Sequence, residues 1–296
     1  MTDRFSVPPV VRPLNDPWPK RTRLVEHSVL PGFKLSLGIT LVYLSLIVLL
    51  PLTMLAIRPW ELGLDGIVKT LTDARVASAL KVSFGISLAA ALTNAPLGLL
   101  VAWTLTRYKF PGRRIMDALV DLPFALPTAV AGIALTAIYA PNGPLGALAE
   151  KVGIKTAYSP LGIFIALVFI GLPFVVRSVR PVLQDVDKDV EEAAKTLGAN
   201  DLQRVAYVVI PAIAPALLSG VSLAFARAVG EYGSVIFIAG NMPLKTEIAP
   251  LLIVIKLEQY DYAGAAAIGC AMLAISFGAL VLMNIAQIYL ARRGRA

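Results

Sequence analysis

Residues 35–57 read LSLGITLVYLSLIVLLPLTMLAI, a run without a charged side chain. A helix of about 20 apolar residues crosses a hydrocarbon core about 30 Å thick, because it satisfies its own backbone polar groups where water is absent. The run is too long for the apolar part of a signal peptide, and no small-residue cleavage site follows it. We therefore expect it to remain as a transmembrane helix.

The composition of the whole chain is typical of a membrane protein. Hydrophobic residues make up 57% of the sequence and charged residues 16%, whereas an average soluble domain carries about 25% charged residues. We predict an all-α integral membrane protein with six transmembrane helices. The predicted spans are residues 35–57, 80–103, 118–139, 160–176, 208–227 and 264–290.

The distribution of basic residues predicts the orientation in the membrane. The net charge is +8, but lysines and arginines are spread between apolar runs instead of lying on one polar segment, which argues against nucleic-acid binding. If both termini are cytoplasmic, the inner segments hold more than twice as many basic residues as the outer ones. The basic, proline-rich residues 1–34 have little apolar content and are predicted to form a flexible cytoplasmic tail.

Several kinds of chemistry are missing from the sequence. The single cysteine, Cys270, and the single histidine, His27, exclude disulfide frameworks and His/Cys zinc sites. No G-x-x-x-x-G-K-[ST] pattern occurs, so the sequence predicts no P-loop nucleotide site in this chain. The predicted outer loops are too short for a ligand-binding domain of ordinary size.

An intramembrane hydrolase and an ion-driven secondary transporter both fit the sequence poorly. An intramembrane hydrolase needs a nucleophile and a base within the spans, but His27 lies in the tail. A secondary transporter driven by an ion gradient is expected to carry carboxylates near the membrane midplane and an inverted repeat, and neither is evident.

Helix-breaking and polar residues inside the spans leave two explanations open. Proline kinks a helix or frees a carbonyl, which is useful along a pathway but is also common in membrane helices generally. Asn94 is likewise either a hydrogen-bonding contact between helices or a pathway residue. Among the prolines, Pro127 is our main pathway candidate; the full set is Pro96, Pro123, Pro127, Pro173, Pro211 and Pro215.

The inner loop at residues 185–211 reads DVDKDVEEAAKTLGANDLQRVAYVVIP. Its acidic start is favourable at a helix N-terminus, and Glu191 and Lys195 have the spacing of a helical ion pair. Gly198 can take the left-handed conformation that ends a helix, and Asn200 with Gln203 predicts a cap for a second helix. One apolar stripe is predicted to contain Val186, Val190, Ala193, Ala194 and Leu197.

This helix-turn-helix loop is physically consistent with a solvated connector or with a docking surface. The pattern Glu-Ala-Ala at 192–194, three residues, Gly198, nine residues and Val-x-Ile-Pro at 208–211 resembles the EAA loop of ATP-binding-cassette import permeases, E-A-A-x3-G-x9-I-x-L-P. The resemblance implies that the first helix docks on an ATPase subunit and passes its motion to the spans. We call residues 185–211 the coupling loop. The coupling residues implied are Glu192, Ala193, Ala194, Leu197 and Gly198.

The resemblance extends from about residue 30 to the C-terminus. TRYKFPGR at 106–113, DALVDLPFALPTAVAG at 117–132, PFVVR at 173–177 and FARAVGEYG at 225–233 are similar to the oxyanion branch of these permeases. VIFIAGN at 235–241, KTE at 245–247 and YDY at 260–262 resemble the T-type sulfate/thiosulfate permeases in particular.

The resemblance implies a type-I import-permease fold with its core at residues 77–290. The implied partners are two ATPase subunits that bind Mg-ATP, a second homologous permease in a heterodimer, and a periplasmic sulfate- or thiosulfate-binding protein. The implied location is the bacterial inner membrane, and this chain itself needs no cofactor and catalyses no reaction. Molybdate or another oxyanion is an alternative substrate.

Two features are predicted at the outer side. Arg227 and Glu231 are one helical turn apart near the end of span five, so they form either a structural ion pair or part of an outer gate that presents positive charge to a divalent anion. Residues 234–263 contain no run long enough to cross, and we expect a re-entrant or surface-lying segment that helps to close the outer mouth.

Overall fold

The computed structural model of this protein describes residues 32–293. Helices joined by turns make up this part of the chain, and no strand occurs in it, which confirms the all-α prediction. The predicted tail at residues 1–34 lies almost entirely outside the described residues. Contacts divide the chain into two units, with the boundary after Pro51.

The first unit is a single helical stretch whose side chains have few packing partners inside the unit. It contains α1 (Phe33–Leu44) and one π-helical turn at Ser45–Leu49. Large apolar side chains such as Ile39, Val42 and Leu46 are about 60% exposed. Such exposure is expected where the surrounding solvent is lipid rather than water.

The second unit contains most of α2 and all later helices. Five helical stretches in the described part, the first of them Leu35–Thr72, are long and apolar enough to cross a membrane, or six if one bent pair forms a span. In chain order the helices are α2 (Leu50–Ile57), α3 (Gly63–Thr72), α4 (Ala74–Arg107), α5 (Arg113–Ala125), α6 (Thr128–Tyr139), α7 (Pro144–Lys151), α8 (Pro160–Asp185), α9 (Lys188–Thr196), α10 (Asp201–Arg204), α11 (Ile210–Val229), α12 (Val235–Ile238), α13 (Ala249–Glu258) and α14 (Tyr262–Arg293).

Helices α4, α8 and α11 pack closely together because small residues lie where they meet. A Cβ atom on Gly98 of α4 would lie 2.6 Å from Val175 of α8, and one on Gly171 of α8 would lie 2.5 Å from Asn94 Nδ2. Apolar burial gives little drive for helix association in lipid, so close backbone approach and polar contacts stabilise it instead. Asn94 is fully buried and donates from Nδ2 to the Val168 carbonyl oxygen at 3.1 Å, which is an interhelical contact.

The predicted span at 118–139 is not a single straight helix. It is divided between α5 and α6, whose axes differ by 114°. Leu126 precedes a proline and adopts an extended conformation (φ −83°, ψ 134°), which ends α5, and Pro127 is the N-cap of α6. Pro96, Pro173 and Pro215, in contrast, lie inside unbroken helices.

The segment at 234–263 is packed into the second unit. It contains α12 and α13, and Ala249 and Leu252 at the start of α13 are almost completely buried. The backbone N–H of Ala249 donates to Ser83 Oγ of α4 at 2.8 Å. This segment contributes none of the candidate spans, as expected, and its depth in the membrane stays a prediction.

Candidate functional site

The coupling loop has the two helices and the turn that its sequence predicts. Asp187 caps α9 by accepting a hydrogen bond from the N–H of Asp189 at 3.0 Å. Gly198 follows the end of this helix with φ +90°, the left-handed conformation that favours glycine. A Cβ atom at this position would meet nothing within 4 Å, so the backbone conformation, and not lack of space, is what requires glycine in this chain.

The second helix of the coupling loop is fixed by a capping box. Asn200 Oδ1 accepts from the N–H of Gln203 at 2.8 Å, and Gln203 Oε1 accepts from the N–H of Asn200 at 2.9 Å. From α10 the chain continues through a π-helical turn at Val205–Val209 into α11, with Pro211 in its first turn. The loop is thus joined directly to the membrane helix.

Apolar side chains project from the coupling loop. Leu197 is 89% exposed, Leu202 82% and Tyr207 79%. Leu202 and Tyr207 were not among the predicted coupling residues, although both are large apolar residues in a polar stretch. Of the predicted residues, Glu192, Ala193, Leu197 and Gly198 are exposed and Ala194 is half-buried.

The predicted apolar stripe is wrong at its first position. Val186 precedes α9, has an extended conformation (φ −63°, ψ 116°) and packs against the core, whereas Val190 and Leu197 are exposed. Helical spacing relates side chains only within one helix, and the turn before α9 directs Val186 elsewhere.

The predicted pair between Glu191 and Lys195 is also wrong. Glu191 instead forms ion pairs with Arg107, at the end of α4, and with Arg204 of α10, whose Nε lies 3.6 Å from Glu191 Oε2. The Glu191 side chain is only 13% exposed. The carboxylate faces the body of the protein, where Arg107 and Arg204 are close. A pair with Lys195 on the exposed surface of α9 would be weaker, because water solvates exposed charges.

Arg227 and Glu231 form the predicted ion pair after span five. Arg227 Nη1 lies 2.6 Å from Glu231 Oε2, and the side chains are 35% and 2% exposed. The N–H and the hydroxyl of Ser234 both donate to Glu231 Oε1 at 2.9 Å. The carboxylate is therefore held from both sides, and these contacts fit a structural pair and an outer gate equally well.

A second cluster of charges joins α5 to α8. Arg177 Nε donates to Asp121 Oδ1 at 2.8 Å, and Arg177 Nη2 lies 3.0 Å from Asp117 Oδ1. Arg180 also pairs with Asp117. The pairing was not predicted, because the partners are more than 50 residues apart and no local pattern relates them.

Ion pairs also hold the segment at 234–263. Arg75, in the first turn of α4, donates from Nε and Nη2 to the two carboxylate oxygens of Glu247, both at 2.7 Å. Lys256 Nζ donates to Asp261 Oδ2 at 2.8 Å, and this contact lowers the pKa of the Asp261 carboxyl below its usual value. No group of three or more side chains able to hold a metal ion occurs between residues 32 and 293.

Comparison with known proteins identifies the family. Residues 94–295 match the model of the binding-protein-dependent transport system inner membrane component. The chain belongs to this family. It is 46% identical over 268 residues to the sulfate transport system permease protein CysT of Salmonella typhimurium, covering 90% of this chain and 97% of the relative. It is 47% identical over 249 residues to CysT of Synechocystis sp., covering 84% and 87%.

Solved structures show the same fold. A bacterial ABC transporter involved in the import of the acidic polysaccharide alginate matches with a TM-score of 0.73 at 14% identity, covering 87% of this chain and 95% of that chain. A complex of the alginate transporter with its pentasaccharide-bound periplasmic protein matches with a TM-score of 0.71 at 17% identity, covering 88% and 94%. The expected import-permease fold is confirmed, and this family member is a multi-pass membrane permease, a transport component.

Proposed function

We propose that this permease carries sulfate or thiosulfate for an ATP-driven importer. The observation that carries the proposal is the 46% identity, over 90% of this chain, to a relative named as a sulfate transport permease. The motif around Glu231, which resembles the oxyanion branch, and the motif around Glu247, which resembles sulfate/thiosulfate permeases, lie in one packed region of the second unit.

The coupling loop is proposed to dock on an ATPase subunit. Leu197, Leu202 and Tyr207 expose apolar surface on a loop that is otherwise polar, and such surface favours a protein interface. The small residues Ala193 and Gly198 allow a partner backbone to approach closely. Because α10 continues into α11, movement of the loop on ATP binding is delivered to a membrane helix.

The full importer is proposed to contain this permease, a second homologous permease, two ATPase subunits and a periplasmic binding protein. Mg-ATP binds to the ATPase subunits, and this chain binds no cofactor. The excess of basic residues on one set of loops supports cytoplasmic termini in a bacterial inner membrane. The coupling loop then lies on the cytoplasmic side, where the ATPase subunits are.

The pathway is proposed to pass the Arg227–Glu231 pair at its outer end. Arg227 is one-third exposed and can present positive charge to a divalent anion, while the buried Glu231 holds its position. The bend at Pro127 and the buried Asn94 are also proposed to belong to the pathway. Asn94 Oδ1 is buried without a hydrogen-bond partner within the described chain, so it can still accept one.

Uptake of radiolabelled sulfate tests the function. Cells that lack this chain are complemented with the wild type, with Gly198→Asp or with Gly153→Asp, the matched control, because Gly153 is also a left-handed glycine (φ +77°) with open space around it but lies outside the coupling loop. Wild type and Gly153→Asp should restore uptake, thiosulfate should compete and molybdate should not, and Gly198→Asp should fail because it adds a charge to the docking surface. Normal sulfate uptake without this chain would refute the substrate assignment.

A further inference from the structure

The coupling loop is attached to the membrane helices at a second point besides its covalent link to α11. Glu191 pairs with Arg107 in the last turn of α4, and also with Arg204. The three side chains are between 13% and 25% exposed, so the cluster is shielded from water and its ion pairs are stronger than surface pairs. Arg107 is held further by Trp103, whose ring centre is 5.6 Å from the guanidinium carbon.

The opposite end of α4 is also attached by an ion pair, to the segment at 234–263. Arg75 and Glu247 form a pair of parallel hydrogen bonds, both 2.7 Å, in which Glu247 is 2% exposed. Bidentate arginine–carboxylate pairs restrict both distance and angle, so they transmit displacement better than a single flexible contact. The bond from the Ala249 N–H to Ser83 adds another contact between the same two elements.

Helix α4 is continuous between these two attachments. Its 34 residues correspond to a length of about 51 Å at 1.5 Å per residue. Pro96 lies inside the helix, but neighbouring Asn94 and Gly98 are packed tightly against α8, which supports the helix at the point where a backbone hydrogen bond is missing.

We propose that α4 is a second transmission arm between the coupling loop and the segment at 234–263, and that Glu191 and Glu247 are its positioning residues. The proposal rests on the proposed docking of the coupling loop on an ATPase subunit. When that loop moves, the covalent link displaces α11, and the Glu191–Arg107 pair displaces α4 at the same time. The Arg75–Glu247 pair, at the other end of α4, then passes the displacement to the segment at 234–263.

The test uses the complete importer reconstituted in lipid vesicles with its binding protein. Glu191→Gln and Glu247→Gln remove the charge at each end while keeping the shape of the side chain. Glu150→Gln is the matched control, since it makes the same substitution at an exposed glutamate of α7 that lies outside the coupling loop and takes part in no ion pair within the described chain. Three quantities are measured: ATPase subunit retained on purification, stimulation of ATP hydrolysis by the loaded binding protein, and sulfate uptake.

Glu191→Gln and Glu247→Gln should each keep the ATPase subunit bound while stimulation and uptake fall by about fivefold or more, the lower end of typical couplings between sites. Glu150→Gln should match the wild type. Arg107→Gln should also lower stimulation and uptake, and the double variant should be no worse than Glu191→Gln alone, because Glu191→Gln already removes the pair with Arg107 together with the pair with Arg204. Stimulation and uptake within twofold of the wild type in either glutamate variant would overturn the proposal.

Failure of the docking function gives a different result. A Leu197→Asp variant removes apolar docking surface and should lose the ATPase subunit itself, so retention of that subunit would count against docking and not against the α4 arm. Loss of the ATPase subunit from Glu191→Gln would assign Glu191 to docking and overturn its role as a positioning residue.

Discussion

Replacing Glu231 by alanine should destabilise this permease much more than replacing it by glutamine. The Glu231 side chain is 2% exposed and pairs with Arg227 at 2.6 Å on one side. On the other side it accepts the N–H and hydroxyl of Ser234, both at 2.9 Å. Glutamine keeps one oxygen that can accept both bonds from Ser234, but its NH2 group replaces the oxygen that faces Arg227, so it loses the ion pair alone, whereas alanine loses every contact.

The hydrogen bonds from Ser234 and the ion pair with Arg227 contribute different amounts to the free energy of unfolding. A buried donor left without an acceptor costs about 1–3 kcal/mol, and alanine leaves the Ser234 N–H in this state, while its hydroxyl can rotate toward another acceptor. The lost ion pair contributes about 1 kcal/mol or less, because Arg227 is one-third exposed and water can solvate it. We therefore expect a loss of about 3 kcal/mol for Glu231→Ala and about 1 kcal/mol for Glu231→Gln.

Titration of the purified permease with a denaturing detergent measures both free energies of unfolding. Arg227→Gln serves as a second comparison: it leaves the buried Glu231 carboxylate without its cation and should destabilise the protein more than Glu231→Gln, which leaves a one-third exposed arginine that water can solvate. If the alanine and glutamine variants of Glu231 differ by less than about 1 kcal/mol, the Ser234 hydrogen bonds contribute little to stability and the reasoning is wrong.

Two further predictions concern packing and depth. Gly132→Ala should destabilise the protein by about 2 kcal/mol, because its Cβ would lie 2.4 Å from the Ser234 carbonyl oxygen, whereas Gly85→Ala, with nothing within 4 Å, should be neutral or stabilising in the same detergent titration. In Lys245→Cys, the new thiol should react with a membrane-impermeant maleimide added outside intact cells. The native Cys270, whose thiol is held near the Leu55 carbonyl oxygen, should not react. Labelling of Lys245→Cys only after the cells are opened would place residues 234–263 on the inner side.

Local sequence was sufficient for the helical elements and their caps. Apolar runs predicted the spans, and short-range patterns predicted the left-handed Gly198 and the capping box at Asn200 and Gln203. These features depend on residues at most a few positions apart. For the 118–139 span, apolar length did not reveal direction: Pro127 and its extended neighbour turn the chain by 114° without making it less apolar, and crossing of the membrane by the bent pair stays a prediction.

Long-range charge pairing could not be predicted. Glu191 was paired with Lys195 because helical spacing makes them neighbours, but the fold brings Arg107 to the same carboxylate from 84 residues away. Arg75 and Glu247 are 172 residues apart, and nothing in either local sequence indicates the other.

The sequence by itself determined that the chain is a helical membrane protein, where its helices lie, and which loop has the coupling pattern. Hydropathy, helical periodicity and capping act within one segment, so they can be recognised without knowing the fold. The tertiary structure alone decided which charges meet at the two ends of α4, which side chains of the coupling loop are exposed, and how Glu231 is held. Those contacts depend on the relative positions of helices, which follow from packing at residues such as Gly98 and Gly171 and not from any local pattern.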